Sequence, residues 1–351
     1  MPATYPGGAP NTFVPSTEAT NNMVVDFSRN IQSFAINEYI QIVPVSKSVG
    51  LYTSMTIEEA GRIQDASAND DHWADGDDAP DNRSRNEGFE FLPYQCKRYA
   101  RGFRIGELAA EQASWEILAQ HARIYSQHAM TRRSQLAATL LQTAANYPTA
   151  NTAAVPGGIS GVTGTWDVST TARMDIKRSI DFGLDVIRRA TLGGVNLEDF
   201  RLVISPGAAR KMSVSQEIID YLKQSPDSLK VIEGKLGPAS AYRLPQYING
   251  VKVVVEDAVK VTSAKGATRA TSYVFEDAKP VLICRPGGLV AAADSNTAPR
   301  FSAATCFMKE EMSVEEMYDV NNRVHKGRVV ENYAMVGTAF SAAFLFTTAI
   351  A

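Results

Sequence analysis

An α+β fold built on extended elements is what the amino-acid sequence predicts, and three observations predict it. Between Glu107 and Asn146 there is neither proline nor glycine, and Ala, Leu, Gln, Glu and Arg dominate, a composition that favours helix. After a Gly-rich stretch, PGGISGVTGTW, helical and strand-like segments alternate. From residue 301 onward the chain reads as several long strands with few breakers.

Residues 1 to about 35 are rich in Pro, Gly, Thr and Asn. Such a composition cannot bury enough apolar surface to offset its own ordering entropy, so an extended arm is expected. The run YIQIVPV from Tyr39 reads as a strand, and Leu51, Thr53, Met55 and Ile57 alternate with polar positions in a second. The segment ASANDDHWADGDDAPDNRSRNEG then has no apolar period, and a stretch of that length inside a domain is usually a functional loop. The chain returns through GFEFLPYQCKRYARGFRI as the descending strand of a long hairpin.

The segment 107–146 predicts one helix of about 60 Å, with Leu108, Trp115, Leu118, Ala122, Tyr125, Ala129, Leu136 and Leu140 as its apolar stripe and Pro148 as its stop. That length fits a spine across an elongated domain. Further on, DIKRSIDFGLDVIRRA is a helix closed by Gly193 and Gly194. RLVIS is a strand leading into a helix with Ser205 as N-cap and Pro206 at its first position. Ser213 and Gln216 have capping-box spacing for another helix. Asn249 and Gly250 mark a tight turn before the strand VKVVVEDA, and SYVFEDAKPVLICRPG predicts a further strand pair.

Composition narrows the function. A chain of 351 residues and 38.1 kDa has room for about two domains. Its 44% hydrophobic and 21% charged residues suit an ordinary globular protein. Thirty-five Lys and Arg against 38 Asp and Glu leave a net charge of −3, with no overall excess to neutralise phosphates, so sequence-specific DNA binding is not expected. Cys96, Cys284 and Cys306 are far apart without CxxC spacing and read as buried small hydrophobes in a reducing compartment. The N-terminus lacks an apolar signal region, and the apolar stretch 339–351 is too short to span a bilayer. The expectation is a soluble chain, intracellular at synthesis, with no membrane partner.

No constellation for chemistry stands out. The four histidines are His72, His121, His128 and His325. His121 and His128 share a helix face about 10 Å apart, too far to ligate one zinc ion. Asp71, Asp75 and Gly76 fit an EF-hand loop, but Trp73 and Asn82 occupy ligand positions and break it. The glycines at 157, 158, 161 and 164 match neither phosphate-binding pattern, and Ser160 is not framed as a nucleophile elbow. No catalytic, cofactor-binding or metal residue is therefore assigned, and the chain is not expected to be an enzyme.

The order of arm, acidic-tipped hairpin, long helix, mixed segment and closing strands, with RLVISPGAARKM, EIIDYLKQ, LPQYINGVKVVVEDA, SYVFEDAKPVLICRPG and RVVENYAMVGTAFSAAFLF as its carriers, resembles the Hong Kong 97-type phage capsid fold. Within that family it is similar to the phage capsid protein E-like group. The resemblance implies residues 1–48 as N-terminal arm, 49–105 as E-loop, 106–165 as spine helix and linker of the P-domain, 166–295 as A-domain and 296–351 as closing P-domain strands. It implies a major capsid protein assembling as hexamers and pentamers into an icosahedral or prolate head around double-stranded DNA. It further implies a location in the virion, with assembly in the host cytoplasm. Its partners would be further copies of itself, a separate scaffolding protein, a portal, a decoration protein and the packaged DNA, contacted non-specifically. One departure stands out: the family's founding member links an E-loop lysine covalently to a neighbour, but residues 48–96 here contain no lysine. An encapsulin-like compartment shell is the alternative within the fold, disfavoured by the long arm. A cytoplasmic α/β enzyme is the alternative outside it.

The hairpin also carries a charge pattern. Asp65, Asp70, Asp71, Asp75, Asp77, Asp78 and Asp81 fall in a stretch without Lys or Arg, whereas Arg83, Arg85, Lys97, Arg98, Arg101 and Arg104 cluster on the return and its base. One reading is a solvated loop that discourages edge-to-edge aggregation. The other is an intersubunit contact. In it Asp75, Asp77 and Asp78 dock on a neighbour's Arg83, Arg85, Arg98 and Arg101, or on Arg132 and Arg133 of its spine helix.

Overall fold

The computed structural model describes residues 30–55, 75, 89–112, 116–169, 174–224, 228–235, 238–285 and 302–351. Along the chain these form α1 (Ile36–Tyr39), β1 (Gln41–Pro44), β2 (Val49–Met55), β3 (Phe89–Gln95), β4 (Lys97–Gly106), α2 (Glu107–Gln112) and α3 (Ile117–Leu141). There follow β5 (Thr152–Ala154), α4 (Asp175–Ala190), β6 (Phe200–Ile204), α5 (Pro206–Ser213), α6 (Gln216–Gln224), α7 (Ser228–Ile232), β7 (Tyr247–Ile248) and β8 (Val251–Val255). The last elements are β9 (Val259–Val261), β10 (Thr271–Tyr273), β11 (Val281–Cys284), β12 (Ala304–Asp319), β13 (Val324–Gly337) and β14 (Ala343–Thr347). The strands sort into a four-stranded sheet in the order β1-β12-β13-β4, a six-stranded sheet in the order β5-β14-β11-β6-β8-β7, and two separate ribbons, β2-β3 and β9-β10.

The six-stranded sheet is the apolar centre. Its strands β6, β8 and β11 read as near-continuous Val, Ile and Leu because both faces are covered, and all four residues of β11 are buried. Helix α4 lies so close that a side chain at Gly183 would meet Leu282, Phe346 and Phe344 at 3.2–3.4 Å. Its first turn is capped from a distance: the Glu217 carboxylate accepts the amides of Ile176 and Lys177 at 2.9 Å each, placing negative charge at the positive helix end. One continuous cluster of buried side chains joins this sheet to Met130, Ala137, Ala138 and Leu141 of α3.

In the four-stranded sheet β12 and β13 form a hairpin of 16 and 14 residues. At its tip Asp319 accepts the amides of Asn321 and Asn322 at 3.1 and 3.3 Å, together with the Asn322 side chain and the Lys326 ammonium. The Lys326 contact, then Asn322, hold the Asp319 carboxyl well below the usual carboxylate range. The depressed value means that this stabilisation is present at neutral pH and is lost as pH falls through the acidic range.

Several sequence expectations are met: the helix 175–190, the Ser205 cap, whose Oγ accepts the Ala208 amide at 3.0 Å, and the Asn249–Gly250 turn, with φ of 51° and 79°. Others need correction. The single helix over 107–146 is two helices, because Glu116 leaves helical geometry and α3 stops at Leu141. The stop has a cause: the Asn146 and Tyr147 side chains cap the Leu140 and Leu141 carbonyls at 2.8 and 2.6 Å. Gln142 clamps a distant turn through the Glu276 and Lys279 backbone at 2.9–3.2 Å. The 25 residues of α3 span about 37 Å, not 60. Ser215, not Ser213, stands at the start of α6; Ser213 closes α5 by donating to the Arg210 carbonyl. Tyr39 belongs to α1, and β10 and β11 pair with β9 and with β6 and β14 instead of with each other.

The expected stripe is partly met: Ala129 is buried and Leu118, Ala122, Tyr125, Leu136 and Leu140 pack half-buried against the clusters, while Leu108 of α2 is exposed and Trp115 lies outside the described residues. The fully buried face also takes in Ser126, Met130, Arg133, Ser134, Ala137 and Leu141. Arg133 is buried against β13, where its guanidinium lies 2.8 Å from the fully buried Glu331 and over the Tyr333 ring at 5.3 Å. Arg132 flanks the pair, 3.9 Å from Glu331 and 4.9 Å above Tyr99 of β4. Arg133→Ala is expected to cost about 3–5 kcal/mol in denaturant unfolding of the unassembled chain, because it strands the Glu331 charge in the interior. Replacing both Arg133 and Glu331 with Met should recover most of that loss. A single variant as stable as the wild type would show that apolar packing alone holds helix to sheet.

Candidate assembly surfaces

The ribbon β2-β3 is seated on the four-stranded sheet by aromatic packing. In its register Gly50 faces Tyr94 and Tyr52 faces Leu92, so these four residues share one face. Tyr94 stacks on Phe307 of β12 at 4.4 Å between ring centroids, and Tyr52 does so at 5.8 Å. Gly50 is required there, since a Cβ would lie within 2.5–2.8 Å of the Tyr94 ring. Val43, Val45, Cys96 and Ala334 complete the seat. The Cys96 amide donates to the Ser48 carbonyl at 2.7 Å, and Lys309 bonds the Ser48 hydroxyl at 2.9 Å.

The opposite face of this ribbon has no cover among the described residues. Val49, Leu51 and Phe91 are exposed by 60%, 64% and 62%, and Pro93 lies opposite Leu51 in the register. Among the described residues the ribbon thus packs one face and leaves an apolar other face uncovered, the kind of patch that marks interaction sites in general.

The second surface is the face of the four-stranded sheet turned away from α3. Here Gly102, Arg104, Glu315, Met317, Lys326 and Arg328 line a shallow depression of about 640 Å³. Several of its charges are paired across strands: Arg328 lies 2.5 Å from Glu315, Lys326 contacts Asp319, and further along Arg98 lies 3.1 Å from Glu310. Met317 stands 65% exposed among them. Beyond Met308, where the register with β1 ends, the outer edge of β12 has no partner strand among the described residues. This unpaired stretch carries Glu310, Glu311, Glu315 and Glu316, charges that blunt a free edge against random pairing.

The predicted contact residues divide. Asp77, Asp78, Arg83 and Arg85 lie outside the described residues, and Asp75 is exposed. Arg98 and Arg101 are exposed on β4, Arg98 in its pair with Glu310 and Arg101 over the Tyr125 ring at 5.5 Å. Arg133 corrects the expectation. It is inside the molecule and spent on Glu331, so it cannot receive a neighbour's carboxylate, and Arg132 is largely engaged by the same glutamate and Tyr99. The Phe307 seat was not found from sequence; its only signal was the excess of aromatics in FLPY and the alternation around it.

Chemistry is sparse. The described residues contain no group of His, Cys, Asp and Glu able to hold a metal ion, and no described helix is long and apolar enough to cross a membrane. His121 Nδ1 lies 2.9 Å from the Ile117 carbonyl within its own helix, and burial beside Arg101 pushes His128 down. None of the three cysteines forms a disulfide among the described residues and all are buried, and burial pushes the Cys284 and Cys306 thiols up to about 12, far from any reactive thiolate.

No protein-family model matches the sequence, and no curated protein matches it. Solved structures do match along nearly its whole length. A phage-related protein from Bordetella bronchiseptica aligns with a TM-score of 0.58 at 16% identity, covering 91% of this chain and 93% of its own. The capsid chain of cyanophage P-SCSP1u aligns with a TM-score of 0.58 at 9% identity, covering 95% and 92%. That of the mature bacteriophage PhiM1 capsid does so at 0.54 and 14% identity, covering 93% and 90%. The fold is therefore the Hong Kong 97-type capsid fold. Phe307→Ala should destabilise the unassembled chain by about 3–5 kcal/mol and expose the ribbon to limited proteolysis between residues 49 and 95. Unchanged cleavage would mean that Phe307 does not seat the ribbon.

Proposed function

We propose that this chain is the major capsid protein of a tailed double-stranded DNA bacteriophage, a structural, non-catalytic subunit that assembles with copies of itself as hexamers and pentamers into the head shell. The observation that carries the reading is the likeness of fold to phage capsid chains over 93–95% of this chain, at TM-scores of 0.54–0.58. The physical character of the surface supports it: an apolar ribbon face and a projecting strand hairpin are costly in a monomer and useful in a tile. On this reading residues 49–105 are the loop that reaches a neighbour, 106–165 and 296–351 the elongated platform, 166–295 the domain around the six-stranded sheet, and 1–48 an arm across adjacent subunits. Scaffolding protein, portal and packaged DNA are the partners that such a head requires, and it is put together in the host cytoplasm.

The test is assembly itself. Purified chain, supplied with its scaffold where one is needed, should sediment as megadalton particles and appear as closed shells by electron microscopy. Leu51→Asp with Phe91→Asp should leave the folded subunit within about 0.5 kcal/mol of the wild type while abolishing shells, because both side chains already face water in the monomer. Monomers or dimers alone under all conditions would contradict the function.

The acidic loop belongs to the same proposal, with Arg98 and Arg101 of β4, and Arg83 and Arg85, as the neighbour's cations. A single exposed pair contributes only about 0–1 kcal/mol, but repetition around a shell sums it. Asp75→Asn, Asp77→Asn and Asp78→Asn together should slow assembly at low salt, with the deficit shrinking as salt rises. Equal assembly of variant and wild type at low salt would leave these carboxylates a solvated loop.

A further inference from the structure

The ribbon β9-β10 stands apart from both large sheets; its two strands pair only with each other. Between Ala258 and Phe275 the sequence contains no acidic residue, three cations, Lys260, Lys265 and Arg269, and the hydroxyls of Thr262, Ser263, Thr268, Thr271 and Ser272. In a chain whose net charge is −3, that is a local island of opposite sign. None of the three cations takes part in an ion pair among the described residues, and together they lie on one short ribbon with no carboxylate in its own sequence. The acids that flank the ribbon in sequence are engaged: Glu256 accepts the Tyr39 hydroxyl at 2.8 Å, Asp257 also has a partner, Glu276 holds Lys279 at 2.7 Å, and Asp277 accepts the Ser205 hydroxyl at 2.5 Å.

The geometry suits a ligand that is long and anionic. The ribbon is closed by the Thr262 amide donating to the Ala270 carbonyl at 2.9 Å, and Gly266, at φ +89°, turns the chain at a tip with open space where a side chain would stand. Residues 264–272 are all exposed, and Val259 and Val261 are exposed beside the cations. Cations with hydroxyls and backbone amides along a projecting two-stranded ribbon are the set that contacts phosphate oxygens without reading bases.

We propose that the β9-β10 ribbon is a non-specific contact for the phosphate backbone of double-stranded nucleic acid, made by Lys260, Lys265 and Arg269. The proposal rests on the capsid reading for its setting, since a shell repeats a weak contact many times over enclosed DNA, but its chemistry stands on the ribbon alone. The unassembled chain provides the test, because there the ribbon is accessible. Binding to a fluorescent duplex of random sequence is measured across salt concentrations for wild type, for the triple variant Lys260→Gln, Lys265→Gln, Arg269→Gln, and for a control triple, Lys177→Gln, Arg188→Gln, Arg210→Gln, with the same change in net charge.

Three phosphate contacts contribute a slope of about 2.7 in log affinity against log salt, so between 50 and 200 mM the wild type should lose roughly forty-fold more affinity than the ribbon variant. The control triple should retain the wild-type slope. A ribbon variant that binds and responds to salt as the wild type does, or a control that loses as much, overturns the assignment. So does a polyglutamate of matched charge that competes as well as the duplex, which would make the ribbon a site for acidic polypeptide. Electron microscopy of the same proteins separates the two claims: shells from the ribbon variant with its DNA slope lost support both, whereas the slope difference without shells from any protein upholds the ribbon and contradicts the capsid function.

Discussion

The pairing of Arg133 with Glu331 fixes how the long helix lies on the long hairpin, and most of the molecule takes its position from that contact. Glu331 sits in the middle of β13, fully buried, 198 residues away in sequence from the arginine that neutralises it. A charge taken out of water at that depth tolerates only the arrangement that brings its partner within reach, so the ion pair acts on register and angle more than on stability. Around it Tyr99, Tyr333 and Arg132 stack as aromatic and guanidinium layers. Arg133 Nε and the Tyr333 hydroxyl find no hydrogen-bond partner among the described residues, which is why an apolar replacement of the whole pair is expected to be tolerated. With α3 held this way, β4 is held beneath it through Phe103 and Tyr125, stacked at 5.3 Å, and the ribbon β2-β3 is carried out from the far side of the same sheet.

This arrangement divides labour between two kinds of surface. Apolar packing is concentrated around the six-stranded sheet, where side chains from α3, α4 and both chain directions share one core. The four-stranded sheet has helix on one side and charged, partly open surface on the other, with Gly102 keeping part of that face low. Exposed Val49, Leu51 and Phe91 on one element and exposed Met317 and Val320 on another are too many large apolar groups for a surface meant only for water. In the proposed shell they would be covered by neighbouring copies, burial of the ribbon face supplying non-directional attraction and charges around it selecting orientation.

Local signals in the sequence were the ones that could be read. Ser205 before Pro206, Asn249 before Gly250 and the apolar spacing of residues 175–190 each act within a few residues, and each has the predicted form in the structure. The long helix was read only in part, because beside Ala129, Met130 and Leu141 its buried face holds Ser126, Arg133 and Ser134, polar residues that periodicity counts as surface. Its true end depends on Asn146 and Tyr147 folding back, and the true start of α6 on which of two serines reaches an amide. The candidate contact set failed at Arg133 for the same reason: a cation looks available until the strand that buries it is known. The acidity of the loop was legible, but whether it meets another copy was not, because complementarity between copies leaves no trace in the spacing of one chain.

If the chain is a shell tile whose ribbon is completed by a neighbour, assembly must change the solvent exposure of that ribbon and leave the internal core as it was. Hydrogen–deuterium exchange on unassembled subunits and on purified shells measures this directly. Amides in 49–55 and 89–95 should exchange markedly more slowly in shells, while those in β6, β8 and β11, already buried, stay unchanged. Equal exchange of the ribbon in both states would contradict the role assigned to it, and with it the view of this molecule as a tile that its neighbours complete.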